Sequence, residues 1–128
     1  PFITQFELCN DALQGAVQVS GLVDSGAMVN VIDSEVWRKI GSQLHAANRS
    51  ARRLRMANGA YVQSEGHWTG IFKFGEVIAD GDFEIFPSGG AWSFLIGKPL
   101  LELLRATHDF ERDIVTVRSA ENVHMLHN

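Results

Sequence analysis

One carboxylate in this chain is set differently from the others. In Leu22-Val23-Asp24-Ser25-Gly26-Ala27 it directly follows an apolar strand and is followed by a hydroxyl, a glycine and a small residue. That order holds an aspartate still in a poorly hydrated place. A lone carboxylate so placed tends to take up a proton, because desolvation disfavours its charged form, so the arrangement serves chemistry mainly when a second carboxylate lies opposite. The chain carries no second copy of the motif. Two readings follow: another subunit supplies the partner, or Asp24 is a turn residue whose side chain bonds its own backbone.

Other residues invite other chemistry. Ser88-Gly89-Gly90 and Ser25-Gly26, with His67 or His108 as base, suggest a serine hydrolase, but the Gly-x-Ser-x-Gly elbow is missing. The five histidines show no spacing that converges on one ion, so neither a metal nor any other cofactor is expected. Asp109-Phe110-Glu111-Arg112-Asp113 reads as a solvated turn before the last strand rather than a cation site. Arg49, Arg52, Arg53 and Arg55 form a local basic run, read as a solvated strand face because the formal net charge is -4, which disfavours nucleic acid as partner.

With 128 residues, 45% apolar and 20% charged, the chain has the composition of a folded globular protein, and one domain over residues 1–128 is expected. It is too short for two lobes that each carry a catalytic motif. The single cysteine, Cys9, has no partner for an internal disulfide, and no apolar stretch is long enough to span a bilayer. A reducing, intracellular and cytoplasmic setting is the expectation, with no membrane partner.

The elements that must position Asp24 read as all-β. Short runs rich in Val, Ile, Phe and Tyr, separated by Gly, Asn, Asp and Ser, predict strands at Pro1-Thr4, Gln5-Cys9, Gln14-Val19, Gly21-Asp24, Val29-Ile32, Arg52-Met56, Tyr61-Ser64, Trp68-Phe74, Asp82-Phe86 and Ile114-Arg118. Asn10-Asp11 is expected to turn the first hairpin. In Ala57-Asn58-Gly59-Ala60 the Asn-Gly pair suits the positive φ angles of a tight turn, which predicts a projecting hairpin. Two short helices are expected: one capped by Asp33 or Ser34, running through Val36, Trp37 and Ile40 to Gly41, and one from near Pro99 with Leu100, Leu101, Leu103 and Leu104 on its apolar face. Trp37 falls on a helical apolar stripe, and Trp68 is placed to brace the base of the projecting hairpin.

Asp24-Ser25-Gly26-Ala27, the glycine-bearing hairpin, and Phe94-Leu95-Ile96-Gly97 running into a leucine-rich helix together resemble the retropepsin family, the aspartic proteases of retroviruses and long-terminal-repeat retrotransposons. Order and spacing match over almost the whole chain. The resemblance implies a closed barrel of the acid-protease type with one or two short helices and a β-hairpin flap. It implies a homodimeric aspartic endopeptidase acting on an extended polypeptide, such as a retroelement polyprotein, with Asp24 catalytic and Ser25, Gly26 and Ala27 supporting it. Met28 and Val29 would line substrate subsites, and Ala57, Asn58 and Gly59 would form the flap tip. Many viral members carry acidic residues where Met28 and Val29 stand, which implies apolar subsites here. The start Pro1-Phe2-Ile3-Thr4 resembles viral enzymes whose termini interleave in the dimer, while the segment from Val123 to Asn128 is a tail beyond the last matching strand. The alternative is a catalytically silent retropepsin-like module for dimerisation or peptide binding.

Overall fold

Apolar and polar side chains alternate along Phe2–Cys9 (β1), with Phe2, Thr4, Phe6 and Leu8 buried, and along Ala16–Val23 (β2), with Val17 and Val19 buried. This period of two is what a strand with one face on a core requires. The two pair antiparallel along their whole length, from Phe2 opposite Val23 to Cys9 opposite Ala16. The structure, a computed structural model, describes residues 1–10, 15–55 and 58–128. Asp11 and Gln14, expected in the first turn and second strand, lie outside the described residues, as do Met56 and Ala57.

Four more strands complete a closed barrel in the order β1-β2-β8-β3-β7-β6: Val31–Asp33 (β3), His67–Phe74 (β6), Val77–Phe86 (β7) and Phe94–Ile96 (β8). β2 pairs parallel with β8, and β3 pairs parallel with β7. Arg53–Arg55 (β4) and Tyr61–Gln63 (β5) form the separate two-stranded hairpin. Thr107–Asp109 (β9), Ile114–Ser119 (β10) and Asn122–His127 (β11) form a three-stranded sheet. The barrel interior is aromatic. Phe6 stacks on Phe74 at 5.1 Å and meets Phe94 edge-on at 5.0 Å, while Trp68 stacks on Phe83 at 4.9 Å. Trp68, expected beneath the hairpin, is fully buried in this core, its indole N–H donated to the His45 carbonyl.

The expected all-β closed barrel, its two short helices and its hairpin are all present, but several boundaries move. Residues read as four strands are two, β1 and β2. Gly21, expected to open a separate strand, lies inside β2 at a close-packing position: a Cβ there would lie 2.7 Å from the Phe6 ring and 2.8 Å from Ile96. β3 starts at Val31, leaving Val29 in the preceding loop, and β7 starts at Val77 rather than at Asp82. The expected tail is strand β11, paired with β10 from Asn122 to His127. The N-terminal residues pair within their own chain: the Ile3 N–H donates to Asn128 Oδ1, and the Asn128 amide donates to the Pro1 carbonyl and to Asp113.

Helix α1 (Ser34–Ile40) has Asp33 as its N-cap, and a 3-10 turn at Gly41–Gln43 extends it; helix α2 (Lys98–Leu103) follows β8, with Pro99 in its first turn. Asp33 does two jobs. Its Oδ2 accepts from the Val36 N–H at 3.3 Å and its Oδ1 from the Ser88 N–H at 2.8 Å, tying the helix start to the loop before β8. Burial pushes the Asp33 carboxyl up, but hydrogen bonds from Ser88, Val36 and Glu35 outweigh it and hold the group below the usual carboxylate range. Because the folded value is depressed, the stabilisation is complete above the unfolded value, about 3.9, and is lost as pH falls through the folded value. Asp33→Asn should lower unfolding free energy in urea titrations by about 1–2 kcal/mol at neutral pH, and the gap from wild type should close on acidification.

Candidate active site

The parallel pairing of β2 with β8 sets Leu22 beside Leu95 and Val23 beside Ile96, so β2 ends next to the point where β8 runs into α2. Asp24 is the first residue past that end. Its N–H donates to the Ile96 carbonyl at 2.9 Å, and its own carbonyl accepts from Ala27 N–H at 3.1 Å, which closes the loop Asp24-Ser25-Gly26-Ala27 as a turn. One carboxylate oxygen, Oδ1, accepts from Gly26 N–H at 3.0 Å. The side chain is thus fixed by its own loop and left half-buried, while Ser25 and Gly26 are exposed. The turn-residue reading of Asp24 and the reading as a presented carboxylate describe the same geometry, since Oδ2 carries no such tie among the described residues.

Behind this loop the chain crosses itself. The Lys98 N–H donates to the Ala27 carbonyl at 2.8 Å, and the Gly97 N–H donates to Asn30 Oδ1 at 2.9 Å. Asn30, buried at 3% exposure, also donates its amide to the Asp82 carbonyl at 3.0 Å and accepts the Glu84 N–H on its own carbonyl at 2.9 Å. This one side chain therefore joins the loop, the β8–α2 corner and β7, with each polar group satisfied, as burial requires. Gly97 is needed for space: a Cβ there would lie 2.4 Å from the Val29 carbonyl oxygen and 2.9 Å from that of Ala27.

Asp24 and Ser25 line a pocket of about 580 Å³ together with apolar Phe2, Val23, Leu101, Ala106 and Val115 and with the ionisable side chains of Lys98, Glu102, Arg105 and His108. Phe110, 81% exposed, sits at its rim with its ring 4.0 Å from that of His108. Met28 and Val29 do not share this pocket; they line a smaller one with Arg52, His67, Asp82 and Glu84, so the surroundings expected to be apolar are ionisable on one side. The expected hairpin carries Asn58 and Gly59 beyond the β4–β5 ladder. Gly59 has a positive φ, +87°, and Asn58 Oδ1 accepts the Ala60 N–H at 2.9 Å, an Asx turn. Neither Asn58 nor Gly59 lines the pocket that holds Asp24.

The other candidates resolve differently. Ser88 donates its hydroxyl to the Trp92 carbonyl and accepts from Gly90 N–H, with no histidine at its oxygen. His67 bonds Asp82 and His108 bonds Asp113. Asp109 caps the turn after β9, accepting from the Glu111 and Arg112 N–H groups, and this turn precedes the second-last strand instead of the last. In the basic run, Arg53 and Arg55 are exposed on β4, with Arg53 lying over the Tyr61 ring at 5.1 Å. Asn30 is the residue sequence reading misses. Its only local signal is a polar side chain ahead of an apolar strand, and its partners lie far away along the chain.

No family model matches the chain. Among solved structures, the retroviral protease-like domain of Ddi1 from Leishmania major superposes with a TM-score of 0.61, covering 96% of this chain and 93% of that one, at 16% sequence identity. The fold is retropepsin-like. In this retropepsin-like frame the likeness extends to the architecture, and the chemistry rests on the residues themselves. Gly97→Ala should lose more than about 2 kcal/mol of stability in thermal or urea unfolding, because backbone oxygens on two sides leave the added carbon nowhere to go.

Proposed function

We propose that the chain is an aspartic endopeptidase whose reaction centre is shared by two copies. The observation that carries this is the presentation of Asp24: a carboxylate at a strand end, clamped through its backbone to Ile96 and through Oδ1 to Gly26, lining a pocket within a retropepsin-like fold. A single chain supplies one such group.

Two-fold association places the same surface patch of each copy against the other, so a loop near the axis meets its own duplicate. Surfaces fit for this purpose are at hand. Val123 and Met125 are exposed on β11, an edge strand among the described residues, and edges of that kind are normally covered. Two facing carboxylates do not both ionise easily, so the pair holds one proton and titrates as a unit. The ionised member takes a proton from a water between them while the water oxygen attacks the peptide carbonyl carbon, and the protonated member hydrogen-bonds the carbonyl oxygen. The tetrahedral intermediate then breaks its C–N bond as a proton passes to the nitrogen, leaving a free acid and a free amine.

Ser25 supports the loop across the axis, Gly26 and Ala27 keep the cleft floor low, and Met28 and Val29 border the substrate. The hairpin carrying Asn58 and Gly59 closes over an extended peptide, pairing backbone to backbone and excluding water. A polyprotein in an extended segment is the matching substrate class.

Self-processing of a longer precursor, or cleavage of an added peptide, should fall by roughly 10²–10⁴ in Asp24→Asn, and equal processing in both chains rules the proposal out. Cleavage should be fastest at mildly acidic pH, because one shared proton is needed; a rate that stays flat to strongly alkaline pH contradicts this.

A further inference from the structure

The smaller pocket, of about 150 Å³, opens between the Asp24 loop and the root of the hairpin. Met28 and Val29 follow Ala27 directly, Arg52 immediately precedes β4, and Pro99 adjoins Lys98, which lines the larger pocket. A peptide lying in the cleft beneath the hairpin passes this opening, and this inference rests on the proteolytic reading in that respect.

What distinguishes the pocket is which of its charges are fixed. Glu84 is 6% exposed, paired with His67 of β6 on one side and Val31 of β3 on the other, and its Oε1 accepts the Ser50 hydroxyl. Asp82, on the same strand, holds His67 Nε2 at 2.9 Å, and that nitrogen is 3.7 Å from Glu84 Oε2. The counter-ion is loosely held: Arg52 Nε lies 4.0 Å from Glu84 Oε2, and its side chain is 55% exposed. Buried Glu84 thus faces, at a long distance, a guanidinium whose own side chain is largely in solvent, and Asp82 on the same strand lines the same pocket, so a substrate cation that replaces Arg52 keeps the buried carboxylate paired. Met28, 72% exposed, offers a flexible apolar wall beside them.

We propose that this pocket is a substrate subsite selecting lysine or arginine, with the aliphatic stem along Met28 and the cation taking the place of Arg52 before Glu84 and Asp82. The stem and head of such a side chain match a pocket that is apolar on one wall and negative on the other. The apolar preference implied by Met28 and Val29 therefore applies to the wall only.

The test is a set of short extended peptides with a Leu-Phe centre, carrying lysine, glutamate or norleucine in turn at each flanking position. Cleavage by the wild-type chain and binding to Asp24→Asn, followed by fluorescence anisotropy, are both measured. At one flanking position, lysine should exceed glutamate by about tenfold or more in both readouts, the size expected of a charge-assisted contact. Asp82→Asn should narrow the lysine-to-norleucine ratio and Arg52→Ala should widen it. Both change exposed side chains, so they serve even where Glu84→Gln fails to fold. Glutamate or norleucine equal to lysine at every position, or a ratio unmoved by both variants, overturns the subsite while leaving proteolysis standing. Lysine-selective binding without any cleavage supports the subsite and overturns the proteolytic reading; no binding and no cleavage overturn both.

Discussion

The passage of the chain through Gly97 is the constraint on which the rest of the site depends. Because residue 97 has no side chain, the β8–α2 corner can lie against the carbonyls of Ala27 and Val29, and the Lys98 N–H can reach Ala27. That contact, with the Asp24 N–H on Ile96, holds the loop at both ends. Each such hydrogen bond adds only about 1 kcal/mol net, but together they fix where a carboxylate points. Asn30 then ties the same position to β7, so that hydrogen bonds join the loop, the corner and the barrel wall.

These ties separate two regions with different chemistry on either side of the crossing. Toward β9 and β10 Asp24 borders a wide pocket whose apolar walls are interrupted by Lys98, Glu102, Arg105 and His108; toward β7 the loop continues through Met28 into a small pocket where Glu84, Asp82, His67 and Arg52 meet. On the proposed reading, the first lies where two copies would meet and the second where a substrate side chain would be read. A retropepsin-like barrel supplies the frame for both, but the residues that give each its character belong to this chain.

Much of the frame is legible in the sequence because its signals are local. The apolar run into Asp24-Ser25-Gly26, the Asp33 cap, Pro99 at a helix start and Asn58-Gly59 at a hairpin tip each depend on neighbours a few residues away. What escapes is set by distant contacts. The boundary expected between Val19 and Gly21 is absent, and Gly21 is small because Phe6 and Ile96 crowd it inside one strand. The strand β11 reads as a tail because its turn contains neither Gly nor Asn-Gly; Ala120 takes the positive φ, +51°, that such residues usually supply. Asn30 carries no local mark of its role, since Gly97 and Asp82 reach it only after the barrel closes. The ionisable side of the Met28 pocket is hidden for the same reason, being built from β6, β7 and the segment before β4.

The central claim is that one chain holds half of a reaction centre. Mixing tests it most directly: a fixed amount of wild-type chain is combined with rising amounts of Asp24→Asn chain, allowed to exchange, and assayed on one peptide. Shared carboxylates require activity to fall as wild-type pairs are diluted into mixed ones; activity that stays constant across the series would show that each chain works alone and would contradict the account.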